Sequence, residues 1–143
     1  MSQINFKQAV YAAMVAVAGE DEEVTKQEQR RVDTVFDHFM KLGDKEKKGV
    51  MDIWKAKQKD EFTKFVVSEL KAYPKPDQME AYMRIAQYIN YAKNEYNQSS
   101  NVKLENGVDK ARIEITKYWD RANVIKEQLD FTAIEYNAFI QKK

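Results

Sequence analysis

Five carboxylates fall within nine positions of "GEDEEVTKQE", residues 19–28: Glu20, Asp21, Glu22, Glu23 and Glu28. Acids this dense repel one another unless water, basic side chains or a hard cation offsets them, and oxygen ligands are what calcium and magnesium require. A second chemistry needs no ion. Thr25 and Glu28 have the spacing of a capping box, in which each side chain satisfies the other's unpaired backbone amide, and Glu20 to Glu23 precede a helix start, where the macrodipole favours negative charge. An EF-hand is excluded: with Glu28 as the last position of a twelve-residue loop, the first and third ligand positions fall on Val17 and Gly19.

Other chemistries lack parts. The chain has no cysteine and a single histidine, His38, with Thr34 and Leu42 as its helical neighbours, so thiolate sites, imidazole zinc sites and disulfides are not expected. Ser2, Ser68, Ser99 and Ser100 have no Gly-x-Ser-x-Gly context, and no glycine-rich phosphate loop is present. With 24 Lys plus Arg against 23 Asp plus Glu, the net charge of +1 sets up no field that would draw the protein to nucleic acid. The stretch from Lys41 to Lys64 holds eight lysines, but five acids are interspersed and arginine is absent, which reads as a solvated mixed-charge face. No catalytic constellation emerges, and no enzyme is expected.

The elements that must position the acidic stretch are helical. Four Gly and two Pro in 143 residues are too few turn formers for an all-β chain, and the length suits one domain, residues 1–143. A first helix over about residues 4–18 has almost no polar face and belongs at the centre of the fold. Its run "AVYAAMVAVAG" resembles a signal-peptide core with Ala16-Val17-Ala18 as the cleavage pattern, but it is rich in Ala and only Lys7 precedes it as a charge, so a buried helix is expected. It is also too short for the roughly 20 apolar residues of a bilayer span, and the expected location is the cytoplasm.

A second helix follows the acidic stretch, with Val32, Val35, Phe36, Phe39, Met40 and Leu42 as its apolar stripe, Gly43 placed to end it and Asp44 to cap a third. Residues 45–72 read as one bent helix or two short ones, broken near Asp60. "YPKPD", residues 73–77, marks a boundary between halves, with Asp77 free to cap a helix from about 78 to 96. A polar loop at 97–107 leads to a helix with Ala111, Ile115, Tyr118, Ala122, Ile125 and Leu129 along one side. Thr132 with Glu135 repeats the capping-box spacing before a short last helix. Among the tyrosines at 82, 88, 91 and 96, Tyr88 or Tyr91 could lie on a partner-binding face, although core packing is the commoner use.

The apolar helix, the acidic turn and the second amphipathic helix together resemble the tellurite-resistance TerB-like family. Its hallmark is an apolar helix ending in an Asp-Gly-x-Ile/Val turn, with a Glu four residues after the aliphatic position; Asp21, Val24 and Glu28 take those places, and Glu22 stands where the glycine would be. "LENGVDKARIE", residues 104–114, is similar to a second, degenerate copy, with Arg112 in the glutamate's place and Glu114 nearby.

The resemblance implies an all-α single bundle of six to seven helices, and an acidic site for calcium, magnesium or manganese formed by Asp21, Glu23 and Glu28, with Glu20 beside them. It also implies a setting in bacterial stress, tellurite or phage responses. Two functions follow: a cation-responsive binding domain acting through a protein partner, or a metal-free helical adaptor or inhibitor whose acidic stretch is only a helix cap. Neither uses nucleic acid or a membrane span.

Overall fold

Every residue from Ala9 to Ala18 is buried. In a computed structural model, which describes residues 3–98 and 110–142, these side chains form the axis of an all-helical bundle. The helices are α1 (Phe6–Ala18), α2 (Lys26–Phe39), α3 (Asp44–Ala56), α4 (Lys59–Lys71), α5 (Lys75–Gln98), α6 (Lys110–Gln128) and α7 (Ala133–Gln141). α1 packs against each of α2 to α6, and its small alanines let those neighbours approach closely. No described helix is long and apolar enough to cross a membrane.

Local chemistry sets most helix starts. Asn5 and Gln8 form a capping box at α1 that the sequence reading overlooked, Asn5 Oδ1 accepting from the Gln8 amide at 2.8 Å and Gln8 Oε1 from the Asn5 amide at 3.0 Å. The expected box at Thr132 and Glu135 is present on α7. Residues 45–72 divide into two helices, α3 and α4, parted at Lys57 and Gln58.

Three expected caps are displaced. α2 stops at Phe39 with Met40 as its C-cap, so Gly43 does not end it but begins α3, and Asp44 is already helical. α5 starts at Lys75, ahead of Asp77, because Pro76 sits in the first turn, where a missing N–H leaves nothing unpaired. Asp77 is therefore inside the helix, and its amide donates to the Pro74 carbonyl at 3.0 Å. The polar loop and most of the second acidic motif, including Glu105, Val108 and Asp109, lie outside the described residues.

Of the tyrosines on α5, Tyr82 and Tyr88 are buried and Tyr91 is half-buried against the core, so Tyr88 offers nothing to a partner. His38 is exposed, as its neighbours implied, and stacks edge-on against Phe39. Three lysines of the lysine-rich stretch are held in ion pairs: Lys47 with Asp33 and Asp37, Lys48 with Asp52, and Lys59 with Glu20.

Candidate functional site

The acidic stretch is a tight turn between α1 and α2. α1 ends at Gly19, whose amide donates to the Val15 carbonyl at 2.8 Å, and the Glu22 amide closes the turn on the Gly19 carbonyl at 2.9 Å. Gly19 is required by packing. A Cβ there would stand 2.3 Å from Cη2 of Trp54, whose ring lies flush on the backbone at the end of α1. Glu22 has φ +70°, the left-handed conformation that ordinarily selects glycine. Thr25 and Glu28 then make the expected capping box, the Glu28 amide donating to Thr25 Oγ1 at 3.1 Å and the Thr25 amide to Glu28 Oε1 at 3.0 Å.

The four acids of the turn point different ways. Glu20 turns inward to α4 and α6: one oxygen lies 2.5 Å from Arg121 Nε, and the other is 3.7 Å from Lys59 Nζ. Lys59 Nζ also donates to the Glu20 backbone carbonyl at 3.0 Å. Asp21, exposed, pairs with Lys117 Nζ at 3.1 Å. Glu22 and Glu23 are exposed to solvent.

Glu28 is the exception, being only 5 % exposed. Its Oε2 lies 2.5 Å from the Tyr118 hydroxyl, and the same hydroxyl lies 2.5 Å from Glu114 Oε1. Tyr96 donates to the other Glu114 oxygen. A phenol has one proton, so it can donate to only one of two carboxylates; the second short contact calls for a proton on a carboxyl group. The environment agrees, since burial first, and the nearby Glu114 charge in addition, raise the Glu28 pKa against the lowering effect of its hydrogen bonds. Arg31 completes the cluster, paired to Glu95 at 2.6 Å and stacked 4.9 Å over the Tyr96 ring. Asp21, Glu23, Glu28 and Glu114, with Thr25, Ile113 and Lys117, line a hollow of about 350 Å³ at the surface.

A sequence model of the family described as Tellurite resistance protein TerB matches residues 7–130, which spans α1 to α6. The chain belongs to the TerB family. Among curated proteins and solved structures, nothing matches significantly.

The divalent ion that the resemblance implies would need several oxygen ligands free to turn toward it. As they stand, the side chains present do not meet that demand. Among the described residues no three ligand side chains are grouped to hold an ion. Asp21 is bonded to an ammonium, and both Glu28 oxygens accept protein hydrogen bonds. The donors are of the right chemical kind for a hard cation, but of the three only Glu23, exposed to solvent, is not already engaged by another described residue of the chain. Sequence reasoning named Asp21, Glu23 and Glu28 and missed that Lys117 meets Asp21, that Tyr118 joins Glu28 to Glu114, and that Arg121 meets Glu20. The signal was there: Glu114, Tyr118 and Arg121 recur at intervals of four and three, so they lie on one face of this TerB α6.

Proposed function

We propose that this chain is a non-enzymatic, metal-independent TerB-like helical module that works through a protein partner in the cytoplasm of a bacterial cell, in a stress, tellurite or phage-related response. The observation that carries the reading is the pairing of Glu20 and Asp21 with Arg121, Lys59 and Lys117, which offsets within the chain the charge an ion would otherwise offset. Absence of catalysis is part of the proposal, and it rests on the tyrosine and carboxylate network being directed at its own members. Contact with a partner falls to the apolar side chains left outside: Ile134 on α7 is 82 % exposed, and Ile113, Val124 and Ile140 are also exposed.

A second reading has one observation in its favour, the hollow shared by Asp21, Glu23, Glu28 and Glu114. A divalent cation bound there would draw on Asp21, Glu23 and Glu28, after Lys117 left Asp21. Calorimetric titration of the chelator-treated protein with calcium, magnesium and manganese separates the two. No heat and no change in Tm is the expected result. Saturable binding tighter than about a millimolar, lost in Asp21→Asn, would replace the first reading by the second. The partner is sought by photo-cross-linking from position 134 in cells, with the exposed polar position 45 on α3 as the comparison. A discrete adduct from 134 alone is expected, and equal labelling from both would remove Ile134 from the surface.

A further inference from the structure

Of the four consecutive acids, Asp21, Glu22 and Glu23 are open to water, whereas Glu20 is folded against α4 and α6 and its charge calls for a positive group nearby. The chain brings that charge from a distance in sequence. Arg121 is 7 % exposed and uses its whole guanidinium: Nε on Glu20 at 2.5 Å, one terminal nitrogen 3.1 Å from Asp60, and the other donating to Thr63 Oγ1 at 3.2 Å. One side chain thereby ties the turn to the start of α4 and to α6. Lys117, one helical turn earlier on the same face of α6, reaches Asp21. An ion approaching Glu20 would have to displace a buried, forked donor with three partners; one approaching Asp21 would displace a half-exposed ammonium.

We propose that Arg121 and Lys117 are the resident cations of this turn and stand in place of a divalent ion, Arg121 as the fixed member and Lys117 as the replaceable one. The inference rests on the metal-independent reading above and adds to it which groups do the ion's work. Its consequence is that the acidic turn stays formed in the presence of a chelator, and that a divalent requirement appears only when a resident cation is removed.

The test compares wild type, Lys117→Met, Arg121→Met and Arg121→Lys by thermal melting and calorimetry, in EDTA and then with manganese chloride raised to a few millimolar. Wild type is expected to melt at one temperature throughout and to give no saturable heat. Arg121→Met should lose several degrees in EDTA, and Arg121→Lys should keep part of that, because it retains charge but not the fork. Manganese should then raise the Tm of Lys117→Met or Arg121→Met by about 2–4 °C, saturably. If Arg121→Met does not fold, Lys117→Met, which alters an exposed pair, decides alone. Wild type flat and the folded variants equally flat in manganese overturns the inference and leaves the metal-independent reading standing. Saturable manganese binding by wild type overturns both.

Discussion

Glu28 and Glu114 face each other across one hydroxyl, each with a carboxylate oxygen 2.5 Å from the oxygen of Tyr118. They come from opposite ends of the bundle's sequence, and neither has a basic side chain within ion-pair distance among the described residues. One phenolic proton cannot serve both, so the pair is one proton short when both acids are ionised.

The first prediction concerns that shortage. Burial raises the Glu28 pKa above its unfolded value, so the folded chain holds this proton more readily than the unfolded one. The resulting contribution to stability is complete below the ordinary glutamate range and is lost as pH rises through the raised value. Glu28→Gln keeps an oxygen for the Thr25 amide and brings its own N–H to Tyr118, freeing the phenol to donate to Glu114. The variant should match or exceed wild type by about 1 kcal/mol at neutral pH, with the difference shrinking toward about pH 4.3. Urea denaturation across that range checks it, and a loss of stability in the variant that is largest at neutral pH and shrinks on acidification would show Glu28 acting as an ionised acceptor.

The turn residue Glu22 gives a second prediction. At φ +70° a side chain with a Cβ is strained, and nothing else about this exposed residue requires glutamate. Glu22→Gly should raise stability by up to about 1 kcal/mol, the left-handed cost less the extra entropy glycine loses on folding. An unchanged or lower denaturation midpoint would mean that the carboxylate contributes more than its backbone costs.

Two kinds of feature separate what the sequence disclosed from what it did not. The apolar run of α1 and the boxes at Thr25 and Thr132 are local, set by side chains within a few residues, and they are found where expected. Asn5 with Gln8 carries the same local signal, the two amide oxygens accepting as the threonine hydroxyl and glutamate carboxylate do elsewhere. Asp77 failed for a local reason too: two prolines read as a stop, although a proline in a helix's first turn starts one as readily. The acidic stretch was different. Its composition named Asp21, Glu23 and Glu28, but their environment depends on α6, with Arg121 meeting Glu20 across 101 residues of sequence. Charge along a chain does not say which distant cation will reach it.

Gly19 supports a third prediction. Its Cβ position is filled by the Trp54 ring, with Cη2 at 2.3 Å and Cζ2 at 2.6 Å. Gly19→Ala should cost about 1–3 kcal/mol, the range for forcing an extra carbon into a packed core. Since the clash is with one side chain, Trp54→Leu should cost less in the Gly19→Ala background than in wild type, a coupling a double-mutant cycle reads directly. Strict additivity would mean that the backbone at residue 19, and not the indole, sets the limit.

The last prediction sets two neighbouring tyrosines against each other. Tyr88 and Tyr118 pack with ring centroids 5.4 Å apart, and both are buried. The Tyr118 hydroxyl is the centre of the carboxylate network, whereas the Tyr88 hydroxyl has no hydrogen-bond partner of good geometry among the described residues. Removing an unpaired buried hydroxyl takes away a desolvation cost, but removing a shared donor leaves two carboxyl groups facing an apolar edge. Tyr88→Phe should therefore be neutral or stabilising by about 1 kcal/mol, and Tyr118→Phe destabilising by about 2–3 kcal/mol. Tyr118→Phe should also recover stability on mild acidification, as protonation lets one carboxyl donate to the other. Equal losses from the two variants, or a Tyr118→Phe variant indifferent to pH, would show that the rings matter here and the hydroxyls do not.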